Sequence, residues 1–84
     1  KIQLTPEIDV DDLLEKISTK YHKQPQIKID GVKIFFDSDW IHLRKSNTEP
    51  IIRIYSESST EVIANNLAEK IRVDIGNALQ GEEI

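Results

Sequence analysis

The spacing of apolar residues along the chain predicts a helix near each end. The first helical face carries apolar residues at intervals of three and four: Val10, Leu13, Leu14, Ile17 and Tyr21. Two starts compete for this helix, because Thr5, which precedes Pro6, and Asp9 both suit an N-cap. Pro25 prevents the helix from continuing.

The last helix shows a stripe of apolar residues at four-residue intervals, with small residues beside it: Ile63, Leu67, Ile71 and Ile75, with Ala64 and Ala68. A one-sided stripe of this kind is typical of a helix that lies on a sheet. Ser58 and Glu61 have the spacing of a capping box at its start. Gly76 and Gly81 are alternative ends.

Four strands are predicted between the helices, at residues 26–29, 32–36, 40–44 and 51–57. Asp30-Gly31 is the signal of a two-residue hairpin, and residues 37–39 form a second turn. In the third strand, alternation separates Ile41 and Leu43 from Trp40, His42 and Arg44. In the fourth strand, it separates Ile52 and Ile54 from Arg53 and Tyr55. The pattern predicts an α+β fold, in which two helices pack on one face of an antiparallel sheet of about four strands. The other face need not be covered by this chain.

The chain has 84 residues, enough for one small domain with a thin core. A deep cleft would need a neighbouring domain as its second wall. Because the sequence starts at Lys1 and contains no Met, we expect it to be a piece of a longer protein. It has no cysteine, which excludes disulfides and thiolate metal sites and is compatible with a cytoplasmic location. No apolar run approaches the roughly 18 residues that a membrane span requires.

The net charge of −4 argues against nucleic acid as a partner. The stretch from residue 44 to residue 53 is different, because Arg44, Lys45 and Arg53 are opposed only by Glu49. A small positive region on an acidic body suits a single small anion better than a polyanion.

The segment from residue 44 to residue 50 contains several hydrogen-bond donors. Arg44 ends a strand and offers a planar fork that matches two phosphate oxygens. Ser46 and Thr48 supply hydroxyl groups, and Asn47 readily adopts turn conformations in which consecutive amides point to one side. Arg53 can lie near Arg44 if the two strands are antiparallel neighbours. These residue types indicate a phosphate site.

A simpler interpretation of the same residues stays open, because Ser, Asn, Thr and Pro are ordinary loop residues. The segment could be a plain turn in which Glu49 pairs with Arg44 or Arg53. Among the other candidates, His42 is either a residue at the edge of the site or a surface residue. Trp40 is more often a packing residue than a sugar-stacking one. The cluster of Asp9, Asp11 and Asp12 is better explained as acids at a helix start than as a metal site.

One stretch of the chain resembles the last domain of the phosphoglucomutase and phosphomannomutase superfamily. The similarity runs from about Asp30 to the end of the last helix, roughly two-thirds of the chain, and its most specific part is Arg44-Lys45-Ser46-Asn47-Thr48-Glu49-Pro50. Supporting segments are Asp30-Gly31-Val32-Lys33-Ile34, Trp40-Ile41-His42-Leu43-Arg44 and Ile51-Ile52-Arg53-Ile54-Tyr55-Ser56-Glu57. The resemblance implies the TBP-like fold of that C-terminal domain.

The resemblance also implies site roles: Arg44, Ser46, Asn47 and Thr48 would grip the phosphate that is not transferred. Arg53 would support the site from the next strand. Asn47, where many relatives have Gly, would favour glucose or mannose phosphates. Two roles are argued from the residues themselves: Glu49 orients Arg44 or Arg53 in preference to acting as a base, since an acid in the loop otherwise repels phosphate. Lys45 either adds a phosphate contact or points to solvent, and solvent is the expected direction.

In the implied reaction, a phosphoryl group moves between the 1- and 6-positions of a hexose through a bisphosphate intermediate. The phosphoserine, the Mg²⁺ held by aspartates and the sugar-reading residues belong to domains 1–3, so no cofactor and no turnover are expected of this chain alone. The implied partners are a hexose phosphate and those domains, with no nucleic acid and no membrane. The alternative is a protein-interaction or dimerisation module that uses Phe35, Trp40 and Tyr55 on the open sheet face.

Overall fold

The computed structural model describes residues 2–4, 8–46 and 48–80. In chain order, the elements are β1 (Ile2–Gln3), α1 (Val10–Lys20), β2 (Gln26–Ile27), β3 (Gly31–Phe35), β4 (Trp40–Lys45), β5 (Ile51–Glu57) and α2 (Glu61–Leu79). The strands form one antiparallel sheet in the order β1-β5-β4-β3-β2. The predicted α+β fold is confirmed. The two-residue β1 adds a fifth strand that the sequence pattern did not indicate.

One face of the sheet, here called the covered face, packs against both helices. Its fully buried side chains include Ile34, Ile41, Leu43 and Ile52, and the helices contribute Leu13, Leu14, Ile17, Ile71 and Ile75. Alternation along β4 and β5 therefore places aliphatic side chains where the helices exclude water. The opposite face, here called the open face, carries Lys33, Phe35, Trp40, His42, Arg44, Arg53 and Tyr55.

The helix starts differ in part from the sequence predictions. Asp9 caps α1 by accepting a hydrogen bond from the backbone N–H of Asp12 at 3.1 Å. Thr5 and Pro6 lie outside the described residues. The cap of α2 is Thr60, whose Oγ1 accepts from the N–H of Ile63 at 3.1 Å.

The predicted capping box of Ser58 and Glu61 is wrong. Helical backbone begins only at Glu61, after an extended Thr60 with φ −134° and ψ 154°. The Ser58 hydroxyl is instead buried, with no hydrogen-bond partner in the described part of the chain. Of the two alternative ends predicted for α2, Gly76 is wrong, because the helix passes through it and reaches Leu79. Gly81, the alternative end, lies outside the described residues.

The first hairpin is wider than predicted. Gln26 pairs with Ile34 and Ile27 pairs with Lys33. This register differs by one residue from the register that a two-residue turn at Asp30-Gly31 would produce. Both residues do adopt positive φ, 55° at Asp30 and 131° at Gly31. Gly31, however, belongs to β3 and pairs with Arg44, where a Cβ would lie 1.9 Å from the Leu43 carbonyl oxygen. Glycine is therefore required at that position by close approach as well as by backbone conformation.

A buried polar cluster joins the two helices. Asp74 of α2 is 4% exposed and accepts hydrogen bonds from the Tyr21 hydroxyl and, at 2.7 Å, from Lys20 Nζ. Burial raises the pKa of Tyr21 well above its usual range, and the hydrogen bond to Asp74 and the charge of that carboxylate act in the same direction.

Neither α1 nor α2, as described, is long and apolar enough to cross a membrane.

Candidate functional site

Arg44 and Arg53 face each other across two neighbouring strands at one end of the open face. They are register partners of β4 and β5, which places their Cβ atoms about 4.5–5.5 Å apart. Both side chains are exposed, and neither forms an ion pair with any residue that the structure describes. The sequence prediction that these two arginines lie together is confirmed.

The loop between the two arginines is closed by backbone hydrogen bonds. The N–H of Ser46 donates to the carbonyl of Ile51 at 3.3 Å, and the N–H of Ile51 donates to the carbonyl of Glu49 at 2.8 Å. The first bond continues the β4–β5 ladder into the loop, and the second closes a tight turn within it. Arg44 and Arg53 are thereby held at a fixed distance from the turn.

Two consecutive amides of this loop converge on one oxygen. The Ser46 Oγ atom accepts from the N–H of Thr48 at 3.3 Å and from the N–H of Glu49 at 3.2 Å. It also lies 3.4 Å from the Thr48 hydroxyl. This is the concave arrangement of backbone donors that suits an anion oxygen. Asn47, predicted to belong to the same site, lies outside the described residues.

Lys45 does not project freely into solvent as predicted. Its Nζ lies 2.6 Å from Asp11 Oδ1 at the start of α1, and its side chain is 34% exposed. The cause is strand alternation, which turns Lys45 to the covered face with Leu43 and away from Arg44. The same alternation was visible in the sequence, so the direction of Lys45 could have been predicted, although its partner could not.

Glu49 forms no ion pair with either arginine within the described ranges. The plain-turn interpretation included such a pair, which is absent from the described residues, but the turn itself is present in the hydrogen bonds that Ser46 Oγ accepts. A role for Glu49 in orienting an arginine stays a prediction.

Trp40 lies on the face opposite Ile41 and Leu43, as alternation predicted, and it is half-buried there. Its Nε1 donates to Glu57 Oε2 at 2.8 Å, and Lys33 Nζ lies 4.2 Å from the centre of its ring. His42 is also on this face, half-buried, with Nε2 3.3 Å from the carbonyl oxygen of Ile29. Lys33 thus lies close to the rings of both Trp40 and Phe35 on this face. The alternative of a protein-interaction module stays a prediction.

The acids at the start of α1 have local roles. Asp9 is the cap, Asp11 pairs with Lys45, and Asp12 lies 3.6 Å from Lys16. His22 contacts the carbonyl oxygen of Thr19 at 3.0 Å. Within the described ranges, no three His, Asp or Glu side chains come together as a metal site would require.

Comparison with known proteins shows which family this chain resembles. The family model for the phosphoglucomutase/phosphomannomutase C-terminal domain matches residues 5–73. A phosphoglucosamine/phosphogalactosamine mutase of Sulfurisphaera tokodaii is 42% identical over 74 residues, 86% of this chain and 16% of the relative. A phosphoglucomutase/phosphomannomutase of Thermococcus kodakarensis is 52% identical over 40 residues, 48% of this chain and 9% of the relative.

A third relative, a phosphomannomutase of Methanocaldococcus jannaschii, is 32% identical over 60 residues, 71% of this chain and 13% of the relative. The chain thus spans at most 16% of the length of these three relatives.

Proposed function

Because the chain belongs to the phosphoglucomutase/phosphomannomutase family, as its C-terminal domain, we propose that it binds the phosphate of a hexose phosphate. The phosphate lies between Arg44, Arg53 and the turn that begins at Ser46. It is the phosphate that is not being transferred, so the domain orients the substrate and leaves the chemistry to the rest of the enzyme.

The observation that carries this proposal is the pair of facing arginines, which have no carboxylate partner among the residues that the structure describes. Two guanidinium groups on directly opposed strand positions repel each other. A phosphate dianion between them converts that repulsion into charge-assisted hydrogen bonds, each of which contributes about 1.5–3 kcal/mol before entropy is subtracted. The arrangement is unfavourable without an anion and favourable with one.

The turn adds donors without adding charge. The amides of Thr48 and Glu49 already point to a common position, now held by the Ser46 hydroxyl oxygen. A phosphate oxygen at that place accepts from the same amides, while the Ser46 hydroxyl rotates and donates to it. Asn47 and the Thr48 hydroxyl complete the proposed set, as the family resemblance implies.

Such a site recognises phosphate and not the sugar that bears it. A reaction through a bisphosphate intermediate needs this property, because either sugar phosphate must occupy the same place. Phosphoryl transfer depends mostly on positioning and on charge stabilisation, so this domain supplies positioning. The phosphoserine and Mg²⁺ belong, in this proposal, to the domains of the full-length enzyme that this chain does not include.

We propose that the sugar is a hexose. Asn47 favours glucose or mannose phosphates by the family resemblance. The relatives do not narrow the choice, because one is named for glucosamine and galactosamine and another for glucose and mannose.

The proposal is tested by titrating the ¹⁵N-labelled chain with inorganic phosphate and following amide shifts by NMR. We expect shifts centred on Ser46, Thr48 and Glu49, with a Kd in the millimolar range, about 4 kcal/mol or less, because an open loop competes with water. Arg44→Ala should weaken binding at least about tenfold, since it removes a charge-assisted bidentate donor.

The matched control is Arg72→Ala, which removes an exposed arginine of α2 that pairs with Glu69 at 3.5 Å. It should bind phosphate as the wild type does. Shifts confined to another surface, or equal losses in the two variants, would contradict the proposed site.

A further inference from the structure

Arg44 and Arg53 differ in how their side chains are held. The Arg44 Cζ atom lies 6.0 Å from the centre of the Tyr55 ring. No ring contact of this kind joins Arg53 to a described aromatic residue. Since neither arginine has an ion-pair partner among the described residues, the Tyr55 ring is the contact that distinguishes them.

The sheet register explains why Tyr55 reaches Arg44. Tyr55 pairs directly with His42, so Arg44 is its diagonal neighbour across the strands. Diagonal neighbours are about 7–8 Å apart at the backbone, within reach of aromatic and long side chains. Tyr55 is also two positions from Arg53 on β5, on the same face, but of the two arginines only Arg44 contacts its ring among the described residues.

From this geometry we propose that Tyr55 is a positioning residue for phosphate binding. Its ring face holds the Arg44 guanidinium beside the Ser46 turn before the anion arrives. Binding then orders fewer Arg44 torsions than it does for a free side chain. The inference rests on the proposed phosphate site and adds to it a residue outside the loop.

The open face contains a second example of the same contact. Lys33 Nζ lies 4.2 Å from the Trp40 ring centre and 5.3 Å from that of Phe35. Lys33 is thus held between two rings, two strand positions from the row that contains Arg44. Phe35 therefore supplies a matched control: an open-face ring that touches a cation but lies away from the phosphate loop.

The first measurement needs no ligand. Arg44 side-chain proton shifts in the phosphate-free 84-residue chain should show a ring-current displacement in the wild type and in Tyr55→Phe. The displacement should disappear in Tyr55→Leu and persist in Phe35→Leu. A displacement that survives Tyr55→Leu would overturn the proposed contact, whatever the phosphate titration gives.

The second measurement is the Kd for inorganic phosphate. We expect Tyr55→Leu to weaken binding about two- to fivefold, because the anion must then order Arg44 torsions that the ring orders in the free chain. Tyr55→Phe and Phe35→Leu should stay within about twofold of the wild type. Amide spectra of all variants report that the fold is retained.

The outcomes separate this inference from the proposed function. If Arg44→Ala weakens phosphate binding and Tyr55→Leu does not, the proposed phosphate site is supported and the positioning role of Tyr55 is contradicted. If Tyr55→Phe weakens phosphate binding as much as Tyr55→Leu does, the hydroxyl and not the ring contributes to binding. That result also contradicts the positioning role. If the wild type shows no phosphate response, the proposed function fails, while the ring-current shifts still test the contact.

Discussion

On the covered face of the sheet, aliphatic side chains pack against two helices, whereas on the open face the same strands present cations beside aromatic rings. Three consecutive residues of β4 show the contrast. Leu43 is fully buried, Arg44 is exposed next to Arg53, and Lys45 turns back to pair with Asp11. Burial explains the first residue and an ion pair explains the third. Neither applies to Arg44, which is instead a residue of the proposed phosphate site.

The two faces also differ in whether their charged groups have partners of opposite charge. Under the covered face, the buried Asp74 carboxylate is bonded to both Lys20 and Tyr21. On the open face, two arginines stand opposite each other with no carboxylate partner in the described chain. Polar groups that are hydrogen-bonded in the interior contribute to stability. Exposed cations without a carboxylate partner are available to bind an anionic ligand.

The largest expected effect contrasts the neighbours Leu43 and Arg44. Leu43→Ala should lower the free energy of unfolding by about 2–5 kcal/mol, because it leaves a cavity in a fully packed core. Arg44→Ala should stay within about 0.5 kcal/mol of the wild type, since its side chain is exposed and its removal relieves repulsion from Arg53.

Urea unfolding followed by circular dichroism measures both variants. A loss of several kcal/mol in Arg44→Ala would mean that the open-face arginines serve the fold. It would also remove the argument that assigns them to a ligand.

The covered face was largely predictable because its signal is local. Period-two alternation identified β4 to within one residue, and the bounds of β5 agree. It also predicted the face of Arg44 and of Arg53 within each strand, but that they lie together depended on antiparallel pairing of the two strands, which the structure shows. The two-residue β1 carries no such pattern, since its existence depends on pairing with Ile51 and Ile52.

The misses share a physical origin in contacts that sequence spacing does not encode. Ser58 and Thr60 are both good caps, and the choice depends on where β5 ends. The register of the first hairpin is set by Gly31 fitting against β4, beyond the local turn signal. Within the site, the donor types were predictable, but the convergence of two amides on Ser46 Oγ required the folded loop.

A smaller effect tests the satisfied polar cluster. Tyr21→Phe removes the buried hydrogen bond to Asp74 and should cost about 1–2 kcal/mol at neutral pH. The pKa of Tyr21 is raised in the folded state, so its contribution is present below the unfolded value of about 10 and is lost as pH rises above it. The wild type should therefore lose stability at alkaline pH relative to Tyr21→Phe.

Urea unfolding at a series of pH values from neutral to alkaline measures this difference. Tyr55→Phe, which changes the exposed tyrosine of the open face, is the control and should keep the wild-type pH dependence. If the gap between the wild type and Tyr21→Phe stayed constant with pH, the cluster would not depend on the protonated hydroxyl.

The smallest effect concerns Lys45, a cation next in sequence to Arg44 but on the other face. Lys45→Ala should cost about 0.2–1 kcal/mol, because its ion pair with Asp11 is largely exposed, and added salt should reduce that cost. Asp11→Asn should cost a similar amount, and the double variant should cost less than the sum of the two.

Phosphate affinity distinguishes the two neighbouring cations. Lys45→Ala should keep the Kd within about twofold of the wild type, since Coulomb effects across water at the surface are small. Arg44→Ala should raise the Kd at least about tenfold. A tenfold loss in Lys45→Ala would show that net charge near the loop, and not the face to which a side chain points, determines binding. In that case the contrast between the two faces would explain the stability of this domain but not its ligand site.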